Sequence, residues 1–363
     1  MVNTVTDFQL RGGVFNTLVP TATKNTGKPI FKEKITVKGN GSLIINSKAL
    51  NKRAKKKMIA QKISLALVDI AKKKGEKELE KSFWNTYYCQ NNLMLSEGVV
   101  YGDYCKNRWC PLCNGNRSAE QIRKYLPILN TWEDPYFVTL TAKSVSAYKL
   151  KWMVKAMLRA FRLIVSKYTA RQRRGKAKQL SGIRVMESNF NVIKRTYNVH
   201  FHLLVPNEEI ADIFINEWLA IWSRKNIAHC KYVYFKAQDK RPVWNRTKGL
   251  REVLKYSTKI FTPEDIKKKK LGMNTPHKVY VMALYNIICA FRGRQIFDTF
   301  GDCKADNNKP RGGKTTVLIR SKKLVYKPHL NDWVCSETNN QLSGYLPDPR
   351  LAFLLDNINT EIE

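Results

Sequence analysis

The stretch TYNVHFHLLVP, residues 196–206, decides the fold prediction because its side chains alternate in character along the chain. Every second position is apolar: Val199, Phe201, Leu203 and Val205. In a β-strand these side chains point to one face, and His200 and His202 point to the other. With five histidines in 363 residues, chance would give an HxH pair about one time in twenty, so the pair is a motif to be explained.

The segments around this strand repeat in a regular order. YFVTLT (136–141) alternates like a strand, and an amphipathic helix follows it. GIRVME (182–187) precedes the histidine strand, Asn207 caps a second apolar-striped helix, and KYVYF (231–235) is a last strand. The order strand, helix, strand, strand, helix, strand predicts an α+β fold of the split βαβ type. It is an antiparallel sheet with helices on one face and the other face open.

The two imidazoles form a candidate metal site on the uncovered face of this sheet. Adjacent imidazoles on one rigid strand are a bidentate platform for a metal ion. If residues 188–197 close a hairpin, Glu187 lies opposite His200 or His202 and supplies a third ligand. A mixed nitrogen and oxygen set suits Mn²⁺ or Mg²⁺ acting on phosphate. The alternative is two surface histidines without a metal.

A candidate nucleophile lies in LREVLKYSTKIF (250–261), which predicts a short helix ending at Thr262 before Pro263. One face of this helix carries four polar side chains at i, i+3, i+4 and i+7: Glu252, Lys255, Tyr256 and Lys259. A tyrosine can attack a phosphodiester and form a covalent phosphotyrosine. Nearby lysines would stabilise the phenolate and phosphate charge, and Glu252 could take a proton from water.

The charge of the chain predicts a polyanionic partner. Sixty-five Lys and Arg against 29 Asp and Glu give a formal charge of +36, and nucleic acid is the usual partner of so basic a protein. A basic scaffold protein and an acidic membrane surface are the alternatives.

MVNTVTDFQLRGG lacks a signal-peptide shape, and the longest apolar run, VYVMALYNIICAF (279–291), is too short to span a bilayer. We therefore expect a cytoplasmic protein without membrane partners, with its cysteines reduced or bound to metal.

Half of the eight cysteines lie in one short segment, within residues 82–118: Cys89, Cys105, Cys110 and Cys113. The last two form a CxxC knuckle, and LMLSEGVVYG (93–102) predicts a hairpin that brings Cys89 near it. Four thiolates suit tetrahedral Zn²⁺, whereas buried cysteines without metal are the alternative.

Upstream, residues 1–80 form a basic region whose lysine runs, such as NKRAKKK (51–57), are either solvated or part of a DNA-contacting arm.

Three motifs, in this order, resemble those of the rolling-circle replication initiator (Rep) proteins of small bacterial plasmids, members of the HUH endonuclease superfamily. FVTLT (137–141) is similar to their first motif, HFH (200–202) to the HUH motif, and EVLKYSTK (252–259) to the catalytic-tyrosine motif. CKNRWCPLCNGNRS (105–118) also resembles their Cys-rich segment. The resemblance covers about residues 85–262, and the single tyrosine is typical of the one-tyrosine members.

The resemblance implies site-specific nicking of single-stranded or hairpin origin DNA. Tyr256 would keep the 5′ phosphate and free a 3′ hydroxyl primer, with Glu252 and Lys259 assisting. It implies Mg²⁺ or Mn²⁺ on His200 and His202, and DNA contacts by Lys255 and by Thr139 and Thr141 of the first motif. A host helicase and polymerase would then be partners.

The expected domains are a basic region (1–80), a Cys-rich candidate zinc module (82–118), an HUH-like endonuclease domain (125–262) and a C-terminal region of unknown role (263–363). Two other interpretations stay open. A relaxase or transposase would share the chemistry, and a non-enzymatic nucleic-acid-binding protein would share the charge but not the ordered motifs.

Overall fold

The computed structural model describes residues 15–19, 32–38, 42–43, 47–96, 98–223, 237–254, 278–303, 315–319 and 321–356. The strands are β1 (Phe15–Val19), β2 (Lys32–Lys38), β3 (Ser42–Leu43), β4 (Asn92–Ser96), β5 (Val99–Gly102), β6 (Tyr136–Thr141), β7 (Gly182–Asn191), β8 (Thr196–Val205), β9 (Asp239–Pro242), β10 (Phe297–Phe300), β11 (Thr315–Ile319), β12 (Lys322–Lys327) and β13 (Asp332–Cys335). The helices are α1 (Ser47–Lys73), α2 (Lys77–Tyr87), α3 (Pro111–Asn130), α4 (Ala147–Gln172), α5 (Glu208–Ser223), α6 (Arg246–Val253), α7 (Lys278–Phe291) and α8 (Pro349–Asp356).

The contacts of the chain divide it into two compact units. The first comprises residues 1–68, 75–113 and 309–363, and the second comprises residues 69–74 and 114–308. The predicted α+β class, with antiparallel sheets and helices, is confirmed.

The second unit is built on a five-stranded antiparallel sheet in the order β10-β7-β8-β6-β9. The histidine strand β8 is the central strand, and β6 and β7 flank it. The predicted helices after β6 and β8 are α4 and α5. The side-chain oxygen of Asn207 accepts a hydrogen bond from the backbone N–H of Ile210 at 3.0 Å, which confirms the predicted cap of α5.

One face of this sheet packs against α4 and α5 through the apolar residues of β8. The ring of Phe201 lies 5.3 Å from that of Phe161 on α4 and 5.8 Å from that of Trp218 on α5. Phe201 and Trp218 are fully buried, and each such side chain contributes roughly 2–3 kcal/mol of burial energy. This packing fixes which face of β8 carries the histidines.

The opposite face is only partly open, which differs from the expectation. Tyr125 of α3 packs on Phe297 of β10, with ring centroids 5.4 Å apart. Phe297 pairs with Val185, and Val185 pairs with His202, so these side chains share the histidine face. Helix α6 also contacts β8 on this unit. The histidine face is therefore covered in part by α3 and α6, and local periodicity could not indicate the helices that cover it.

The hairpin joining β7 to β8 is tighter than the predicted loop over 188–197. Both strands continue to Asn191 and Thr196, which pair with each other. The side-chain oxygen of Asn191 accepts hydrogen bonds from the N–H groups of Ile193 and Lys194, at 3.1 and 2.9 Å, which closes the turn. This turn sets the register of the two strands and pairs Glu187 directly with His200.

Among the described residues, the first unit contains two sheets that join the N- and C-terminal parts of the chain. One has the order β1-β2-β11 and the other β13-β12-β4-β5-β3. The predicted hairpin over 93–102 is β4 and β5, and β12 pairs with β4 from far along the sequence. Residues 322–335, for which the sequence indicated no role, therefore complete the sheet that carries the hairpin.

Some expectations fall outside the described residues. These are the strand predicted at 231–235 and most of the helix predicted at 250–261, from Lys255 onward. The described part of that helix begins earlier, at Arg246, and Leu250, Val253 and Leu254 are buried as predicted. Among the residues that the structure describes, none of the helices combines the length and apolar character needed to cross a bilayer.

Candidate metal centre and its surroundings

Three side chains converge on the histidine face of the central sheet. The Oε2 atom of Glu187 lies 3.8 Å from Nε2 of His200 and 3.7 Å from Nε2 of His202. The three donor atoms lie within 4.8 Å of one another. These distances are too long for strong direct hydrogen bonds. A divalent ion held at about 2.1 Å from each donor would bridge them.

The outer nitrogens of both imidazoles are already engaged. Nδ1 of His200 lies 3.2 Å from the backbone oxygen of Asn198, and Nδ1 of His202 lies 3.4 Å from Oγ1 of Thr139. The backbone oxygen of Asn198 can only accept, so Nδ1 of His200 donates and its Nε2 keeps its lone pair; the Thr139 hydroxyl can accept from Nδ1 of His202 in the same way. Such outer hydrogen bonds are typical of metal-ligating histidines because they orient the ring and raise its basicity.

The carboxylate of Glu187 is suited to a cation. Burial acts to raise its pKa, but the adjacent imidazoles of His200 and His202 outweigh burial, so its pKa lies below the ordinary value. Within the described residues, its second oxygen, Oε1, is buried without a hydrogen-bond partner. A buried anionic oxygen without a partner is costly, and coordination of a metal ion would satisfy it. The donor set therefore fits a divalent cation.

Glu252 lies on the same face of the sheet and is linked to the histidines by two side chains. It forms a 2.8 Å ion pair with Arg241 of β9. The guanidinium of Arg241 lies 4.7 Å from the ring centroid of Phe137, and that ring lies 5.2 Å from the ring of His202. Sequence reasoning missed Arg241, since only the pairing of β6 with β9 brings it to Phe137 of the first motif.

The structure places the other predicted site residues as follows. Thr139 and Thr141 lie on β6 beside His202 and His200, in register. Thr139 contacts His202, and Oγ1 of Thr141 accepts a hydrogen bond from the side-chain amide of Asn198 at 3.1 Å. The remaining three lie outside the described residues: Lys255, Tyr256 and Lys259.

The four clustered cysteines form a second candidate metal centre, in the first unit. The Sγ atoms of Cys89 and Cys113 are 3.7 Å apart, and those of Cys105 and Cys113 are 3.5 Å apart. All four sulfurs, including that of Cys110, lie within 4.8 Å of one another, and all four thiols are free. Four sulfurs bound tetrahedrally at 2.3 Å to Zn²⁺ would be about 3.8 Å apart, so the cluster has the size of a zinc site.

Protonation within the cysteine cluster is strongly coupled. Hydrogen bonding with Cys110 lowers the pKa of Cys105 below its ordinary range, while hydrogen bonding with Cys105 raises the pKa of Cys89. The backbone N–H of Cys105 also points to the sulfur of Cys89, at 3.5 Å. Thiolates held this close together repel one another, and a bound cation would offset that repulsion.

A lysine from the basic N-terminal region supports this cluster. Lys57 is fully buried, and its Nζ donates to the backbone oxygens of Tyr87 and Cys89, at 2.7 and 2.8 Å, and to Asn91 Oδ1. Burial lowers the pKa of Lys57 to about 8. Lys57 is therefore neither a solvated lysine nor a DNA-contacting one, and its hydrogen bonds fix the chain on both sides of Cys89.

Comparisons with known proteins agree with the motifs. A family model described as "Replication protein" matches residues 98–294, more than half of the chain. A protein named "Protein rep" from Streptococcus pneumoniae serotype 2 is 27% identical over 255 residues, which are 64% of this chain and 73% of that protein. A "Protein rep" from Lentilactobacillus hilgardii is 35% identical over 135 residues, which are 33% of this chain and 40% of that protein. A "Protein rep" from Staphylococcus aureus is 27% identical over 189 residues, which are 48% of this chain and 79% of that protein.

The extent of these matches differs between relatives. The chain spans only 37% of the length of a "Protein rep" from Bacillus amyloliquefaciens, at 29% identity over 130 residues. No solved structure matches the chain significantly. The family match contains Glu187, His200, His202 and Glu252, together with Tyr256. The chain therefore belongs to the Rep family of replication proteins, as its ordered motifs predict.

Proposed function

We propose that this Rep protein initiates rolling-circle replication of a plasmid by nicking one strand of origin DNA. The observation that carries the proposal is the convergence of Glu187, His200 and His202, with both outer imidazole nitrogens engaged. Family membership supports a role in replication initiation. A protein that only bound nucleic acid would need the charge but not this donor set. A relaxase or transposase would share the donor set but not the family.

Glu187, His200 and His202 would hold Mg²⁺ or Mn²⁺. When bound, such an ion polarises a phosphate and offsets the charge that develops on it. The chain's own contribution is to fix the donors. Glu187 and His200 are paired across two neighbouring strands, and Thr139 holds the ring of His202 from the third strand. Preorganised donors of this kind lose little orientational entropy when the substrate arrives.

Tyr256 is the proposed nucleophile. Its phenol oxygen would attack the scissile phosphorus, forming a phosphotyrosine while the bond from phosphorus to the 3′ oxygen breaks. The phenol proton passes to solvent, and the released 3′ oxygen takes a proton from solvent to become the hydroxyl that primes synthesis. Lys255 and Lys259 would stabilise the phenolate and the phosphate, since nearby ammonium groups favour both anions.

Glu252 is proposed to act later, by taking a proton from the water that hydrolyses the phosphotyrosine. It is linked through Arg241 and Phe137 to His202, so its carboxylate lies on the face of the sheet where the phosphate would bind. The ion pair with Arg241 is solvent-accessible on both sides and contributes little stability. Glu252 can therefore act as a general base without loss of folding stability.

Replacing Glu252 with glutamine should leave the first nick within about twofold of wild type. Hydrolysis of the covalent adduct should slow by about 10²- to 10⁴-fold, the usual contribution of a general base. A single-turnover assay of nicking followed by a chase for adduct release measures both steps. Glu209→Gln is the matched control, since Glu209 also forms an exposed ion pair on this unit. Unchanged adduct release in Glu252→Gln would refute the role.

The proposed partners are the origin DNA, single-stranded or in a hairpin, and a host helicase and polymerase that extend the new 3′ end. Lys255, Thr139 and Thr141 are proposed to contact the DNA. Because Thr139 also holds His202, we expect its loss to affect the metal site as well as DNA binding.

The cysteine cluster is proposed to be a structural zinc site. Its four ligands would leave no coordination position open, as is typical of zinc in a folding role. The cluster links α2, the β4–β5 hairpin and the start of α3, elements joined by short connections and the buried Lys57. Zinc would therefore stabilise a small segment with few apolar residues of its own.

The purified protein should contain one zinc per chain at this cluster, and Cys110→Ser should lose it. Several kcal/mol of stability would be lost with the metal, which lowers the unfolding temperature by about 10 °C in a chain of this size. Elemental analysis and thermal unfolding measure the two effects. Cys335→Ser is the control because Cys335 is buried in the same unit but outside the cluster. Full zinc content in Cys110→Ser would contradict the assignment.

A further inference from the structure

A wide groove lies where β6 passes into α4, apart from the three metal-ligand candidates. Its volume is about 910 Å³. Two aromatic side chains and four lysines contribute to its lining: Tyr148, Trp152, Lys143, Lys149, Lys151 and Lys155. Tyr148 is 91% exposed and Trp152 is 47% exposed. Among the described residues that line the groove, none is acidic.

The chemistry of this groove is specific. Tyr148 and Trp152 are four residues apart on α4, so they lie on the same side of the helix. A single exposed aromatic residue is ordinary on a protein surface. Two exposed rings one helical turn apart, with four lysines and no acidic side chain among the described lining residues, match a ligand with flat apolar faces joined by anionic links. Single-stranded nucleic acid has this combination, because its bases stack on aromatic rings while its phosphates attract lysines.

The groove begins just beyond the end of β6, the strand that pairs with the histidine strand. Thr141 pairs with His200, and Asn198 donates to the backbone oxygen of Ala142 at 3.2 Å. Lys143 is the next residue, about 7 Å along the chain from Thr141 at 3.3 Å per residue. Val145 is fixed in turn by paired backbone hydrogen bonds with Tyr197, at 2.9 and 2.7 Å. Lys143, at the start of the groove, therefore follows directly after the strand that pairs with the histidine strand.

We propose that this groove binds unpaired bases of the DNA strand that is nicked, with Tyr148 and Trp152 as stacking platforms and the lysines as phosphate contacts. The inference rests on the proposed function for the identity of the strand. Duplex DNA is disfavoured there because its bases already stack on each other and do not expose their faces. The groove would therefore select an opened origin over closed duplex.

The test measures equilibrium binding of the full-length protein to a labelled single-stranded oligonucleotide, in buffer without Mg²⁺ or Mn²⁺ so that no cleavage occurs. Removing a stacking ring weakens single-strand binding by roughly 5- to 150-fold per base, so Tyr148→Ala combined with Trp152→Ala should weaken it by at least about tenfold. Binding of a duplex of the same sequence should change less than about twofold. Tyr148→Phe combined with Trp152→Phe should bind nearly as wild type, because flat rings remain.

The contribution of the lysines is measured separately, from the salt dependence of DNA binding. Each lysine that neutralises a phosphate of a single strand adds about 0.7 to the slope of log affinity against log salt. Lys151→Ala combined with Lys155→Ala should therefore reduce the slope by about 1.4, whereas the aromatic variant should keep the wild-type slope. Lys176→Ala and Leu163→Ala are the controls, since both residues are exposed on the same unit outside the groove.

Wild-type affinity of the double alanine aromatic variant for the single strand would overturn the inference. An equal loss of affinity for single strand and duplex would also overturn it. If circular dichroism shows that the double alanine variant is unfolded, weak binding by the folded double phenylalanine variant would overturn it as well. Failure of the proposed function has a different signature. In that case the wild-type protein fails to nick origin DNA, yet the aromatic variant still loses single-strand binding.

Discussion

Loss of the histidine pair is expected to abolish metal-dependent nicking. His200→Ala combined with His202→Ala removes both nitrogen donors, and a polarising cation contributes several kcal/mol to the stabilisation of a phosphoryl transition state. Because each 1.36 kcal/mol is a factor of ten in rate, nicking should fall by at least about 10³-fold. The measurement is single-turnover nicking of an origin oligonucleotide with Mn²⁺ or Mg²⁺.

A separate measurement distinguishes loss of the metal from loss of the fold. His200 is almost fully buried, so its truncation leaves a small cavity. Glu187→Gln changes charge without changing shape, and it should weaken Mn²⁺ binding in calorimetry while the circular dichroism stays that of wild type. His329→Ala is the control because that histidine is exposed and lies in the other unit. Wild-type nicking by the double histidine variant would rule out the metal centre.

Replacing Tyr256 with phenylalanine is the second change with a large expected effect. Without the phenol oxygen no phosphotyrosine can form, so nicking and the covalent adduct should both fall by at least about 10⁴-fold, as when other nucleophiles are removed. DNA binding and Mn²⁺ binding should remain, because the ring and the metal ligands are intact. Tyr88→Phe is the control, since Tyr88 is an exposed tyrosine of the first unit.

The readout for Tyr256→Phe is a denaturing gel that separates free DNA from protein-linked DNA. A variant that nicks at the wild-type rate would exclude Tyr256. A variant that nicks normally but forms its adduct elsewhere would assign the role to another tyrosine. Either result would leave the metal centre to be judged by the histidine variants alone.

The central sheet could be predicted because its information is local. Alternation along β8 separated Phe201 from His200 and His202, and a hairpin between neighbouring strands could only bring Glu187 to one of two positions. The structure selects the pair with His200, because the turn at Asn191 fixes the register. The cysteine cluster was predictable for the same reason, since a hairpin and a CxxC knuckle are close in sequence.

The parts that escaped prediction depend on contacts between distant segments. Lys57 sits in a run of lysines, and only the fold shows that three acceptors near Cys89 surround it. Arg241 reaches Glu252 and Phe137 because β9 pairs with β6, a pairing with no local signal. Strand β12 joins β4 across more than two hundred residues. Periodicity reports which face of an element is apolar but not which element covers it.

Anomalous scattering from crystals grown with Mn²⁺ and a non-cleavable origin oligonucleotide is the most direct measurement. We expect one strong peak bound by Nε2 of His200, Nε2 of His202 and a carboxylate oxygen of Glu187, with a DNA phosphate oxygen in a remaining position. The absence of a peak between these three side chains, in a protein that nicks DNA with Mn²⁺ under the same conditions, would contradict the assignment of the metal centre.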